Sequence, residues 1–295
     1  MGVSVIVATK NKTDSLRATL ACLAADPVAL DGALVEVIVV DDGGGGNDAT
    51  AQVAERFADR LPLRRVVGPG RGRAAARNAG AGAARRDYLL FLDDDILTAP
   101  GFLAAHLRHA GSSGFVHGPL REFPGARWWL AGHADTSDVD LATTAAAIVL
   151  GDTPSVRLFR NAVEIAILAM NAGTMVPAVE WLAAVGANLA LRQTVFADVG
   201  GFDEGFGLGW GCEDLELGVR LLASGRHPRV ESNAAGVHLT HSRPSRWAEH
   251  DANLARFVAL HDLDSVRALP DLLDPGGGLA RYVARLSGSG MERTD

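Results

Sequence analysis

Three groups of carboxylates and a pair of late histidines carry the chemistry that can be read in this chain. Asp93-Asp94-Asp95 follow the apolar run Tyr88–Leu92 directly, and Asp41-Asp42 close a second apolar run, Val35–Val40. Adjacent negative charges repel each other unless something positive meets them. Oxygen-only ligands suit a hard divalent cation, Mg²⁺ or Mn²⁺, which keeps several waters and also binds substrate phosphates. The bland alternative is a solvated acidic turn ahead of a helix starting near Pro100. The third group, Glu213-Asp214, follows Gly209-Trp210-Gly211-Cys212. Leu215, Val219 and Leu222 recur at helical spacing, which places both acids in a first helical turn, where the helix dipole favours negative charge. The dipole accounts for one acid there, but not for a Gly-Trp-Gly lead-in that sets a pair at the helix mouth. Val237–His241 reads as a late strand with His238 and His241 on one face, one of the two a candidate metal ligand.

The elements that must position these groups follow from periodicity. Tyr88–Leu92 has the unbroken apolar character of a strand buried on both faces. Val3–Ala8, Val35–Val40 and Leu63–Val67 read as three earlier strands. Thr13 is the expected N-cap of a helix carrying Leu16, Leu20 and Leu23, and Asp48 of one carrying Val53, Phe57 and Leu61. Between them Gly43–Gly46 must be a loop. Gly70-Arg71-Gly72-Arg73 opens a small-residue helix through Gly80, and its arginines and N-terminus face a phosphate favourably. The glycines do not match the dinucleotide spacing G-x-G-x-x-G, and the first strand ends in Thr9-Lys10-Asn11 without glycine, so an NAD site is rejected. A βαβαβαβ order implies a parallel sheet with helices on both faces. Ligands of such sheets bind beyond the carboxyl ends of the strands, where the acids lie.

Further on, a helix is expected from Pro100 to about Ala110, a strand at Phe115–His117, a strand within Gly186–Leu191, a short helix around Phe196 and a tight loop over Gly200–Gly207. Val156, Phe159, Val163, Ile167 and Met170 fit one helical face. Trp128, Trp129 and Trp181 suit either core packing or a platform for a sugar ring or lipid. A helix is expected from Trp247 to about Leu263, a weakly amphipathic segment at Leu279–Leu286, and disorder over Ser287–Asp295.

Composition narrows the class. With 295 residues, 48% hydrophobic and 21% charged, the chain is folded and can bury a substantial core. A net charge of −7 argues against nucleic acid as the main partner. Cys22 and Cys212 have neither metal-ligand spacing nor a disulfide framework, which fits a reducing cytosol. No apolar run reaches the ~18 residues of a membrane span. The N-terminus opens straight into a strand with no basic region before it, so no signal peptide is expected and the protein is placed in the cytoplasm.

Six motifs in order carry a family resemblance: Val5–Thr9, Val39-Val40-Asp41-Asp42-Gly43, Ala76-Arg77-Asn78-Ala79-Gly80, Leu92-Asp93-Asp94-Asp95, Gly200-Gly201-Phe202-Asp203 and Trp210-Gly211-Cys212-Glu213-Asp214. Together they resemble the GT-A-fold glycosyltransferases of family 2, inverting enzymes that use nucleotide-sugar donors. The second half is also similar to polypeptide N-acetylgalactosaminyltransferases and chondroitin-synthase domains. The resemblance implies an α/β GT-A fold with a Rossmann-like, mostly parallel sheet and a helical C-terminal extension. It divides the chain into a nucleotide-sugar half (1–117), an acceptor half (118–244) and the extension with its tail (245–295). Thr9, Asp41 and Asp42 would meet the base and ribose, Arg77 would lie near the nucleotide, and Asp93, Asp94 and Trp210 would complete the donor site. Asp95, the end of the Asp-x-Asp run, would hold Mn²⁺ or Mg²⁺ with His241, His238 being the reserve. Asp214 would be the catalytic base, with Glu213 as its alternate. UDP-sugars are the favoured donors; the acceptor is open among glycan, peptide, lipid-linked and natural-product hydroxyls. The loop Gly43–Asn47 departs from the family's usual Gly-Ser-x-Asp, which bears on base recognition. A sugar-phosphate nucleotidyltransferase would want a glycine-rich basic loop after the first strand, which is lacking. A non-catalytic sugar-nucleotide module would have no need of the full set Asp93, Asp95, Asp214 and His241.

Overall fold

The computed structural model describes residues 1–43, 48–241 and 245–289. The strands among them are β1 (Val3–Thr9), β2 (Val35–Asp41), β3 (Leu63–Val67), β4 (Tyr88–Asp93), β5 (Ile96–Thr98), β6 (Phe115–His117), β7 (Leu120–Phe123), β8 (Asn188–Arg192), β9 (Pro228–Val230) and β10 (Gly236–Leu239). Seven of them form one sheet in the order β3-β2-β1-β4-β8-β6-β9, and β5-β10-β7 form a second. The first four strands are mutually parallel, as their crossover helices require, while β8 runs antiparallel to both β4 and β6. This is the GT-A arrangement, a mostly parallel sheet layered between helices.

The register sets up the site. Thr9 lies opposite Asp41, and Ala8 opposite Asp93, so the three strands end together at one edge of the sheet. Alternation explains how one set of apolar runs serves two cores. Val5, Val7, Val37, Val39 and Leu90 point to one face, under the helix Thr13–Ala24. Ile6, Ile38, Val40, Leu89 and Phe91 point to the other, under the helix Arg73–Ala83. That helix lies close because Gly80 packs on Ile6, where a Cβ would collide with the isoleucine side chain. The C-terminal extension belongs to this second core: Phe257, Val266, Leu269, Leu272 and Tyr282 are all buried in it. Among the described residues no helix is long and apolar enough to cross a membrane.

Several local expectations change. Thr13 is the first residue of its helix and Lys12 the N-cap residue, with no side-chain capping bond. Gly44–Asn47 and the Asp48 side chain, with its expected cap, lie outside the described residues. The helix expected from Pro100 runs over Phe102–Leu107. The apolar stripe from Val156 to Met170 is not one helix. Asn161 has extended backbone and accepts a hydrogen bond from Glu164 N, so the helix is Ala162–Asn171, and Phe159 instead pairs with Glu122. Trp181 is core, Trp128 is exposed and Trp129 packs partly on Phe123; none of the three lines the central cavity. The last helix, Leu279–Ser289, reaches past the expected onset of disorder, because Tyr282, Val283 and Leu286 form an apolar face that packs on the core. Residues 290–295 lie outside the described chain.

Candidate active site

A cavity of about 520 Å³ opens at the edge where β1, β2 and β4 end. Thr9, Asp42, Arg77, Asp93, Asp94, Asp95, Trp210, Glu213, Asp214, His238 and His241 all line it. Asp41 does not: it is fully buried, ion-paired with Arg65 at 2.7 Å and bonded by Gly43 N at 3.1 Å. Asp42 faces the cavity but is engaged with backbone, accepting Gly70 N at 2.6 Å and Gly72 N at 3.0 Å. It therefore holds the glycine loop that opens the helix Arg73–Ala83. Gly72 has φ +100°, and a Cβ there would strike the Gly207 carbonyl.

Beyond Asp93 the chain turns through Asp94 and Asp95 into β5, burying both carboxylates. Lys12 Nζ lies 2.6 Å from Asp95 Oδ2 and 3.3 Å from Asp94 Oδ1, supplying the positive charge that the acid run requires. Burial pushes Asp94 up to about 6, with Lys12 opposing and Asp95 reinforcing the shift. Burial also works against a charge on Asp95, but His238, His241 and Lys12 outweigh it and hold that carboxyl well below its usual range. His238 Nε2 lies 3.4 Å from Asp95 Oδ1 and His241 Nδ1 3.3 Å from Oδ2. The ligand atoms of these three residues fall within 4.8 Å of one another. Among the described residues Asp95 Oδ1 is buried and accepts no hydrogen bond. A buried carboxylate oxygen without a donor, flanked by two imidazoles, is a donor set that fits a divalent cation.

The histidines converge for a reason other than the one expected. A spacing of three along a strand puts side chains on opposite faces. Here β10 ends at Leu239, whose N–H bonds Asp95 O at 2.8 Å, and beyond it the chain leaves the strand so that His241 also comes to Asp95.

Glu213 and Asp214 do begin a helix, Glu213–Ala223, entered through Gly211 at φ +94° and Cys212 at φ +73°. Arg77 joins this helix to the sheet edge, with Nη1 2.9 Å from Glu213 and Nη2 2.8 Å from Asp93. Its guanidinium is buried and lies over the Phe202 ring. Arg77 thus occupies Glu213, and offsets burial to keep Asp93 below its ordinary value. Among the described residues Asp214 has no such ion pair. Its carboxylate accepts Gly186 N and Leu215 N, each at 2.9 Å, and burial together with the charge of Glu213 pushes it up to about 6. An ionised, weakly solvated carboxylate with a raised pKa is suited to accept a proton near neutrality.

Three residues absent from the motif reading complete the site. Lys12 supplies the charge described above. Asn253, in the helix Arg246–Leu260, donates to Gly211 O at 2.9 Å and so braces the loop carrying Trp210. Glu122 in β7 bonds His238. Nothing local marks the last two; the only advance signal for Lys12 is a cation just past a strand whose neighbour ends in acids.

Residues 4–160, more than half of the chain, match the profile of glycosyl transferase family 2, and residues 167–242 match the N-terminal domain of galactosyltransferase. The validoxylamine A glucosyltransferase of Streptomyces hygroscopicus subsp. jinggangensis is 32% identical over 92% of this chain, which spans 62% of that relative's length. A mannosyltransferase from Pyrobaculum calidifontis, solved with GDP-Man and Mn²⁺, superposes with a TM-score of 0.58 at 18% identity, covering 99% of this chain and 76% of its own. S. aureus TarS with UDP-GlcNAc gives 0.57 at 16% identity, covering 100% and 76%. The chain belongs to glycosyl transferase family 2.

Proposed function

We propose that this chain transfers a sugar from a nucleotide-diphosphate donor to an acceptor hydroxyl with inversion, using a divalent cation and Asp214 as general base. The observation that carries this reading is the pairing of two different carboxylate environments across one cavity. Asp95 is buried against Lys12, His238 and His241, whereas Asp214 is backbone-bound with its pKa pushed up to about 6. Environments that drive acids apart in this way separate binding from proton-transfer roles. Residues 1–117 form the donor half, 118–244 the acceptor half, and 245–295 the extension that braces the loop at Trp210.

Asp95, His238 and His241 hold the cation, which when bound supplies positive charge to the leaving diphosphate. Lys12 stands beside the same acids and remains available to a phosphate oxygen. Thr9, Asp42 and Asp93 frame the nucleoside, Asp94 backs Lys12, and Trp210 flanks the sugar. Asp41 supports this edge through Arg65 rather than touching ligand. Asp214 takes the proton of the attacking hydroxyl while Glu213, occupied by Arg77, fixes the local charge. A single base serving in-line attack gives inversion. Solved structures of this fold hold GDP-Man with Mn²⁺ in one case and UDP-GlcNAc in another, so both bases enter the test, with UDP-sugars favoured. A glucosyltransferase acting on validoxylamine A as relative supports a small natural-product acceptor. Two buried free thiols, Cys22 and Cys212, suit a cytoplasmic setting.

The test is a thermal-shift series with UDP, GDP, UDP-glucose and GDP-mannose, each with and without Mn²⁺. A ligand that binds only the folded state raises the melting temperature. Metal-dependent stabilisation by one nucleotide class supports the reading and identifies the base. Absence of any shift refutes it in favour of a domain that has lost the chemistry. Product anomeric configuration by NMR then decides inversion.

A further inference from the structure

Glu122 belongs to none of the six motifs, yet it stands at the junction of two parts of the site. It sits on β7 directly opposite His238 on the parallel strand β10. Its Oε2 accepts His238 Nδ1 at 2.8 Å and the Thr240 hydroxyl at 2.8 Å. Its Oε1 accepts Asn161 Nδ2 at 2.9 Å. Its backbone pairs with Phe159, N–H to O at 2.7 Å in one direction and 3.2 Å in the other. Both carboxylate oxygens are therefore occupied, and the side chain is only 12% exposed.

We propose that Glu122 is a positioning residue for the cation site, fixing the His238 ring so that Nε2 faces Asp95 and tying that orientation to the 118–182 segment. The inference rests on the cation reading above. With Nδ1 committed to Glu122, Nε2 is the ring atom left for the Asp95 side, where it stands 3.4 Å from Oδ1. A carboxylate behind a ligating imidazole fixes its tautomer and strengthens it as a donor. The connection also has a consequence for the acceptor half. Asn161 caps the helix Ala162–Asn171, and Phe159, Asn161 and Glu164 line the cavity, so a single carboxylate joins the cation seat to the cavity's outer wall.

The test measures Mn²⁺ binding to the full chain by the EPR signal of the free ion. Glu122→Gln, which keeps side-chain size, is expected to weaken Mn²⁺ binding by about 10–100-fold. In a His238→Ala background the same change should add nothing, because the coupling runs through that ring. Wild-type affinity in Glu122→Gln overturns the inference, as does a full additive loss in the His238→Ala background, which would mean that Glu122 acts through the fold. Failure of the wild-type chain itself to bind Mn²⁺ overturns the cation reading and this inference with it. Should Glu122→Gln not fold, ¹⁵N spectra of the wild-type histidine rings with diamagnetic Zn²⁺ decide the matter. His238 protonated on Nδ1 supports the positioning role, and His238 protonated on Nε2 refutes it.

Discussion

Replacing Asp214 by asparagine removes the proposed base while keeping its shape. An acid pushed up to about 6 has roughly thirty ionised copies for each protonated one at pH 7.5. The wild-type site is therefore almost wholly competent, and the asparagine site not at all. The loss expected for a missing general base is ~10²–10⁴ in kcat, or ~2.7–5.4 kcal/mol on the barrier. A second, smaller effect follows from the contacts. Both carboxylate oxygens accept backbone N–H groups, from Gly186 and from Leu215, each at 2.9 Å. An amide offers one acceptor and turns its NH₂ against the other donor, leaving a partly buried N–H unpaired at a cost of up to ~1–3 kcal/mol. That corresponds to a melting temperature lower by about 2–10 °C. The assay pairs single-turnover kinetics with donor titration by calorimetry: kcat should collapse while donor affinity survives. The wild-type pH profile tests the same group. The basic form is the deprotonated one, so kcat/KM should rise with pH through about 6 and then level, the acid limb displaced upward from the 3.8 of an ordinary aspartate. Near-normal turnover in Asp214→Asn refutes the base assignment. An acid limb near pH 4 refutes the claim that burial and Glu213 tune it.

Two further changes test what holds the site together. Arg77→Ala leaves buried Glu213 and half-buried Asp93 without their shared cation, and breaking the buried Arg77–Glu213 pair should cost ~3–5 kcal/mol in denaturant melts; Arg77→Lys should recover only part, because an ammonium cannot reproduce the fork that bonds both acids. Little loss in Arg77→Ala would mean that the bridge is not a structural requirement. Gly72→Ala forces a Cβ into the Gly207 carbonyl at a φ that alanine disfavours; it should lower both the melting temperature and nucleotide affinity, and unchanged nucleotide affinity would show that the Asp42-held loop plays no part in donor binding.

How much of this was legible in the sequence depends on the range over which each feature is encoded. β1, β2 and β4 were readable because an unbroken apolar run ending in polar residues is a local signature of a doubly buried strand. Their parallel sense followed from the helices between them; their order in the sheet did not. The acids at the strand tips and at the helix mouth were likewise marked by position, and Glu213 and Asp214 do open a helix. Errors arose where a local pattern was mimicked. Val156 and Phe159 share the spacing of the helix that follows, but the Asn161 cap starts that helix later.

Assignments of partner lay beyond the sequence. Asp41 and Asp42 are neighbours of the same type, yet one pairs with Arg65 in the interior and the other holds a glycine loop at the cavity. Arg77 meets Glu213 across 136 positions, Glu122 meets His238 across 116, and Lys12 meets Asp95 across 83. Strand propensity, helix caps and apolar period are set by neighbours a few residues apart, so the chain alone determined the elements and the edge at which the acids gather. Which charge faces which depends on sheet register and on the crossing of segments far apart in sequence. Only packing of the whole chain set Asp95 among Lys12, His238 and His241 and left Asp214 to backbone donors.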